Sequence, residues 1–135
     1  MALYLIPTED KYIDMKATET QIGGSHYKDM KMQPVELFAL TKCTAFQANI
    51  WKYITRYKHK NGKEDIEKAM HYAQLALELN CNSKLSFSAI QEVANFCIIN
   101  NLPHDISLVV MHAGKDNYQN VISICKAIIN KEYPD

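Results

Sequence analysis

The sequence predicts a mainly α-helical protein, a compact helical domain of five to six helices with an irregular or short-strand N-terminal arm. From Pro34 onward, apolar residues recur at spacings of three and four, which is the period of an amphipathic helix. Gly, Pro and Asn interrupt this pattern where helices would end. A chain of 135 residues suffices for one domain with its own core. We therefore predict an arm (1–25), a helical block (26–82) and a C-terminal helical extension packed on that block (83–135).

The first elements follow from local signals. The arm has no sustained period and closes on two glycines and a serine at 23–25, which predicts a flexible turn. Pro34 suits the first position of a short helix that ends near Thr41. Thr44 is a suitable N-cap for the second helix, and Asn61-Gly62 is expected to end it.

The remaining helices are predicted in the same way. Glu64-Asp65 opens a third helix, because acidic residues are favoured in a first turn, and this helix forms a hairpin with the second. Ser88 with Gln91 resembles a capping box for the fourth helix. Pro103 precedes a short fifth helix, and the last helix begins near Asn117.

The composition argues against several classes of function. Lys+Arg 15 balances Asp+Glu 15, so nothing global favours nucleic acid or an anionic membrane as a partner. The apolar runs are too short to span a bilayer, and residues 1–6 lack the basic start of a signal peptide, so a cytoplasmic location is expected. The four cysteines form no CxxC pair, which favours buried free thiols over a structural metal site.

One segment departs from this neutrality. Residues 49–63 contain four lysines and Arg56, the only arginine in the chain, and no acidic residue. Helical spacing places five of its residues on one stripe that could surround a phosphate, and these are Asn49, Lys52, Tyr53, Arg56 and Lys60. The guanidinium of Arg56 can pair bidentately with phosphate oxygens. The alternative is a solvated helix face whose cations pair with the acids that follow it.

Three further residues could complete such a site. Asp65 shares a helix face with Lys68, and a carboxylate opposite cations could hold magnesium on a bound nucleotide or accept a proton. Its alternative role is that of an acidic residue favoured by the helix dipole. His26 and Tyr27 follow the two-glycine turn, where a loop could bring them against a base or ribose, or they could pack that loop onto the core. No GxxxxGK[ST] or GxGxxG occurs, which excludes an ordinary P-loop kinase.

An ordered series of residues resembles a family of short bacteriophage proteins of unknown function, with the pattern HY, then QP, then N..KY..R...K.G..D..KA..Y. The resemblance covers roughly residues 21–75 and does not extend beyond Lys84. In this chain the series reads His26-Tyr27, Gln33-Pro34, Asn49, Lys52-Tyr53, Arg56, Lys60, Gly62, Asp65, Lys68-Ala69 and Tyr72. One member of the family is a deoxynucleoside monophosphate kinase that lacks a P-loop and forms large homo-oligomers.

The resemblance implies a nucleotide-binding protein of the infected bacterial cell. It implies catalytic roles for Lys52, Arg56 and Asp65, with Mg²⁺ reaching Asp65 on the bound nucleotide. The nucleotide-binding residues that it implies are His26, Tyr27, Asn49, Lys52, Arg56, Lys60 and Lys68. Three functions stay open: a monophosphate kinase, a non-catalytic binder that sequesters or degrades a nucleotide signal of host defence, and a helical adaptor that binds a host protein or DNA. Homo-oligomers are expected.

Overall fold

A computed structural model describes residues 16–19, 21 and 26–135, and in these residues the chain is mainly α-helical with no β-strand. The six α-helices are α1 (Pro34–Thr41), α2 (Ala45–Arg56), α3 (Lys63–Glu78), α4 (Phe87–Ile99), α5 (His104–Gly114) and α6 (Tyr118–Glu132). Two short 3-10 helices lie at Ala17–Glu19 and Tyr57–His59. The predicted fold class is confirmed. Most of the predicted arm, including the turn at 23–25, lies outside the described residues.

Local sequence signals explain where the first helices begin. Pro34 occupies the first turn of α1, and α1 ends at Thr41 as predicted. Thr44 caps α2 through its side chain, which accepts a hydrogen bond from the backbone N–H of Gln47 at 3.2 Å. Gln47 returns a bond to the backbone of Thr44 and completes a capping box that the sequence analysis did not identify.

The predicted end of α2 at Asn61-Gly62 is wrong. The α-helix stops at Arg56, and the chain tightens into the 3-10 turn Tyr57–His59 before Lys60 leaves helical geometry at φ −130° and ψ −102°. Gly62 then adopts φ +57°, which favours glycine, and serves as the N-cap of α3. Lys60 is therefore not on the helical stripe that the spacing predicted.

The capping residue of α4 also differs from the prediction. Ser86, not Ser88, precedes the helix in extended geometry, and its Oγ accepts a hydrogen bond from the backbone N–H of Ala89 at 3.1 Å. Both serines suit an N-cap, and α4 begins two residues earlier than the apolar spacing indicated. The starts of α5 after Pro103 and of α6 after Asn117 are as predicted.

A single hydrophobic core joins the two halves of the chain. The α2–α3 hairpin packs against α5 and α6, while α4 lies against α1 and α5. Trp51 is fully buried in this core, and its indole N–H donates to the carbonyl of Val110 at 3.0 Å. Cys97 and Cys125 are buried, Cys43 and Cys81 are half-buried, and all four are free thiols. No helix among the described residues is long and apolar enough to cross a bilayer.

Candidate functional site

Three cations surround the ring of Tyr53 at the α2–α3 hairpin. The guanidinium carbon of Arg56 lies 4.6 Å from the ring centroid, and the ammonium groups of Lys52 and Lys68 lie 4.9 Å and 5.4 Å from it. Tyr72 stacks on the same ring with a centroid distance of 6.0 Å. We call these five residues the Tyr53 cluster. Each cation is within the distance at which an aromatic ring attracts positive charge.

Helix geometry explains why these side chains converge. Lys52, Tyr53 and Arg56 lie within one turn of α2, while Lys68 and Tyr72 are four residues apart and share one face of α3. The other face of α2 is apolar and buried, so packing of the hairpin holds the polar residues at its edge. The predicted basic stripe is thus completed by a lysine from the neighbouring helix.

The guanidinium of Arg56 is oriented by a carboxylate beneath it. Its Nε and Nη2 atoms donate to Oδ2 and Oδ1 of Asp65, each at 3.2 Å, and the backbone N–H of Asn61 donates to Oδ2 at 3.2 Å. Asp65 has no exposed surface, whereas 14% of the Arg56 side chain is exposed. Two of the five N–H donors of the guanidinium are used in this pair, and three remain for other partners.

The hydroxyl of Tyr27 is buried and has no hydrogen-bond partner among the described residues. Burial raises the pKa of Tyr27, and its interaction with the Arg56 side chain lowers it in part, so the hydroxyl stays protonated at neutral pH. The backbone N–H of Tyr27 is held by the side-chain oxygen of Gln21 at 2.5 Å. A buried hydroxyl without a partner is costly, and this one is free to donate a hydrogen bond to a group that binds beside Arg56.

The Tyr53 cluster carries a local excess of positive charge. Lys52, Arg56 and Lys68 contribute three positive charges to the cluster, and the adjacent Asp65 contributes one negative charge, so the net charge of the cluster together with Asp65 is +2. Among the residues that the structure describes, no carboxylate lies within 4.0 Å of the ammonium group of either lysine. The cluster is therefore suited electrostatically to an anion with two negative charges.

A cavity of about 780 Å³ lies between residues 26–31, the end of α2 and the α4–α5 turn. We call it the His26 cavity. The rings of His26 and His59 stack at its edge with a centroid distance of 4.4 Å, and Nε2–H of His26 donates to the carbonyl of Thr55 at 3.1 Å. Burial and the neighbouring His59 lower the pKa of His26 below 6.5, so its imidazole is neutral at pH 7.

A smaller cavity of about 490 Å³ lies beside Tyr27 and Lys52. Most of its wall is apolar, and its other lining residues are Ala17, Thr18, Gln21, Gln33, Pro34, Val35 and Phe38. Both cavities are within the volume range of small-molecule sites. Lys52 both lines the smaller cavity and belongs to the Tyr53 cluster.

The structure divides the predicted site residues among these places. Lys52, Arg56, Asp65 and Lys68 come together, and Tyr27 lies beside them. His26 and Lys60 instead line the His26 cavity. Asn49 takes part in neither arrangement, because its side chain donates to the carbonyl of Ala45 at 2.8 Å within its own helix. Its role in nucleotide binding stays a prediction.

Three contributors to these sites could not be identified from the spacing of residues alone. Tyr53 was predicted to lie on the stripe but not at its centre. The spacing nevertheless allows Lys52 and Arg56 to reach its ring. His59 carries no local signal of its stack with His26. Residues 99–103 and Ile106 lie far along the chain from the other cavity residues, and no spacing rule connects them.

The same geometry bears on the expected magnesium ion. In the described part of the chain, no group of three or more His, Cys, Asp or Glu side chains is placed to hold a metal ion. The carboxylate of Asp65 is wholly buried and already accepts three hydrogen bonds, so it presents no oxygen to a metal in this arrangement. Any magnesium at this site would be held mainly by the phosphates of its ligand.

Comparison with known proteins adds one finding. No curated protein matches the chain, and no solved structure matches it. One family model does match, over residues 22–74, a segment that includes every predicted site residue and the whole Tyr53 cluster. Residues 99–106 lie outside the match. The family whose model matches residues 22–74 is described as a protein of unknown function, DUF3310.

Proposed function

We propose that the chain binds a nucleotide and that the Tyr53 cluster holds its phosphate group. The observation that carries the proposal is the convergence of three cations on one ring, with a single, wholly buried carboxylate to balance them. A phosphomonoester has a charge of about −1.5 to −2 at pH 7, which complements the net charge of the cluster. The unpartnered Tyr27 hydroxyl supplies a neutral donor beside Arg56.

Each side chain has a distinct part in this proposal. Asp65 orients Arg56, because two parallel hydrogen bonds fix the plane of the guanidinium and direct its remaining donors away from the carboxylate. Lys52 and Lys68 act as flexible point charges beside the ring of Tyr53. The nucleoside part lies in the smaller cavity, whose wall is mainly apolar and includes Tyr27 and Lys52.

A phosphotransferase is the narrower form of the proposal. It rests on the resemblance of the matched segment to a P-loop-less monophosphate kinase, and two observations suit a two-substrate reaction: one cavity is lined by Tyr27 and a larger one by the adjacent His26. The terminal phosphoryl group of a triphosphate would pass to a phosphate oxygen of the monophosphate, which yields two diphosphates. Lys52 and Arg56 would neutralise the transferring group, and Asp65 would act through Arg56.

The same resemblance supports a proposal for the cellular setting. We propose that this is a phage protein that acts in the cytoplasm of an infected bacterium. In that setting, a chain that binds nucleotides without catalysis would sequester them, for example as signals of host defence.

Calorimetry with deoxynucleoside monophosphates tests the binding proposal. Arg56→Lys keeps the charge but loses the planar fork, so affinity should fall by about 1.5–3 kcal/mol. Lys68→Gln removes one cation from the ring of Tyr53 and should also weaken binding. Lys126→Gln is the matched control, because this exposed lysine of α6 lines neither cavity. Equal affinity in all four proteins, or no binding by the wild type, would contradict the proposal.

A product assay separates the kinase from the binder. Wild-type protein is incubated with a monophosphate, a triphosphate donor and magnesium, and the nucleotides are separated by chromatography. Diphosphate that forms with the wild type and decreases with Arg56→Lys supports phosphoryl transfer. Tight retention of a nucleotide without any diphosphate rejects the kinase and supports sequestration.

A further inference from the structure

We infer that the His26 cavity is a second ligand site, separate from the Tyr53 cluster, for a small molecule that carries a polyphosphate chain and a flat ring. The C-terminal extension supplies one wall of this site. The inference deepens the phosphotransferase form of the proposed function, because it assigns the triphosphate to this cavity, but ligand binding here uses cations other than those of the Tyr53 cluster. It also gives the extension a functional role, since residues beyond the matched segment contact the ligand.

The cavity is assembled from three separate segments. Residues 26–31 form one side, Thr55 and residues 57–60 form the second, and residues 99–103 with Ile106 form the third. Its volume of about 780 Å³ is large enough for a nucleoside triphosphate. The first two segments lie within the matched region, and the third lies outside it.

Hydrogen bonds hold these walls in place. The side-chain oxygen of Asn100 accepts from the backbone N–H of Met32 at 3.2 Å, and its amide donates to the carbonyl of Met32 at 2.8 Å. His26 is tied to Thr55 in the same way on the other side. Asn101 adopts φ +49° and turns the chain sharply after α4. A site whose walls are already fixed loses little conformational entropy when a ligand binds.

The charges of the lining select an anion. Among the residues that line the cavity, three are lysines and one is acidic: Lys31, Lys58, Lys60 and Asp29. Lysine ammonium groups bind phosphate oxygens as point charges and tolerate several arrangements of a flexible polyphosphate.

The rest of the lining suits a flat, weakly polar group. Met30, Ile99, Leu102, Pro103 and Ile106 give an apolar surface. The stacked rings of His26 and His59, inclined by only 23°, form an aromatic platform at the edge of the cavity. A purine or pyrimidine ring can pack on such a surface while its phosphates contact the lysines. The combination favours a nucleoside triphosphate over an inorganic anion.

Nuclear magnetic resonance of the imidazole C–H groups provides the test. The full chain is titrated with ATP and, separately, with inorganic tripolyphosphate. The resonances of His26 and His59 are expected to shift to saturation with both compounds. Saturation should need a lower concentration of ATP, because only ATP carries a ring. If neither compound shifts these resonances at millimolar concentration, the inference is wrong.

Two neighbouring substitutions locate the site. Ile99 lines the cavity and is 39% exposed, whereas Ile98 is 76% exposed and does not line it. Ile99→Glu places a negative charge in the cavity and should weaken ATP binding at least about tenfold. Ile98→Glu adds the same charge on the adjacent residue and should leave binding unchanged. Equal effects of the two variants would contradict the assignment.

A third variant distinguishes this site from the Tyr53 cluster. Lys68→Gln should leave the ATP-dependent shifts of His26 and His59 unchanged if the two sites are separate. If Lys68→Gln abolishes the shifts while Ile99→Glu has no effect, ATP binds at the Tyr53 cluster alone and the second site is rejected. Conversely, two separate sites are supported if Lys68→Gln abolishes monophosphate binding at the Tyr53 cluster and the ATP-dependent shifts of His26 and His59 remain.

Discussion

The guanidinium of Arg56 and the carboxylate of Asp65 form a two-point ion pair between the last residue of α2 and the first turn of α3. The two residues are nine positions apart and meet because the chain reverses at Tyr57–His59 and Gly62. Asn61 donates a third hydrogen bond to the same carboxylate. The pair therefore links the geometry of the hairpin to the orientation of the only arginine, and changes to either residue should affect both stability and binding.

Asp65→Asn should lower the free energy of unfolding by about 3 kcal/mol, because the largely buried Arg56 loses its counter-charge. Urea unfolding followed by Trp51 fluorescence measures the change. Glu67→Gln is the control, since Glu67 is exposed on the same helix. An unchanged urea midpoint for Asp65→Asn would mean that the ion pair contributes little to stability.

His26 should titrate below its ordinary pKa of 6.5. Burial is the largest cause, His59 and Lys60 act in the same direction, and the Thr55 carbonyl and Asp29 oppose them. Because the folded-state pKa is lower than the unfolded-state pKa, this group contributes nothing to stability above pH 6.5 and lowers stability as the pH falls below that value. Titration of the imidazole resonance gives the pKa directly. A value at or above 6.5 would show that the ring is better solvated than the structure indicates.

Gln47→Met should destabilise the protein by about 1–3 kcal/mol, the cost of leaving buried polar groups without partners. Gln47 is fully buried, and its amide donates to the carbonyl of Ala113 at 3.1 Å and to the hydroxyl of Ser83 at 2.6 Å. These bonds connect α2 to the C-terminal extension. Gln74→Met, at an exposed position of α3, should have little effect in the same denaturation experiment.

Homo-oligomers are expected, and the structure suggests where to test for them. Phe87 is 79% exposed and Leu79 is 62% exposed, which leaves large apolar side chains in water. Light scattering should give a mass that is a multiple of 15.5 kDa, and Phe87→Glu with Leu79→Glu should reduce it. A monomer at micromolar concentration would refute this expectation.

The sequence by itself determined the helices and the location of the charge. Apolar spacing, Pro34 and the Thr44 cap are local signals, and local hydrogen bonding and side-chain entropy act on them directly, so the number and order of helices α1 to α6 could be predicted. The concentration of lysines around Arg56 is likewise a property of one segment. These features need no information about which helices pack together.

Only the tertiary structure decided how the predicted residues are grouped. The early end of α2 moved Lys60 from the stripe to the His26 cavity, because the 3-10 turn at Tyr57–His59 changes the direction of every following side chain. The packing of α4 and α5 brought residues 99–103 to that cavity across 70 positions of sequence from residues 29–31. Contacts of this kind depend on the shape of the whole core, which the spacing of residues in one segment does not encode.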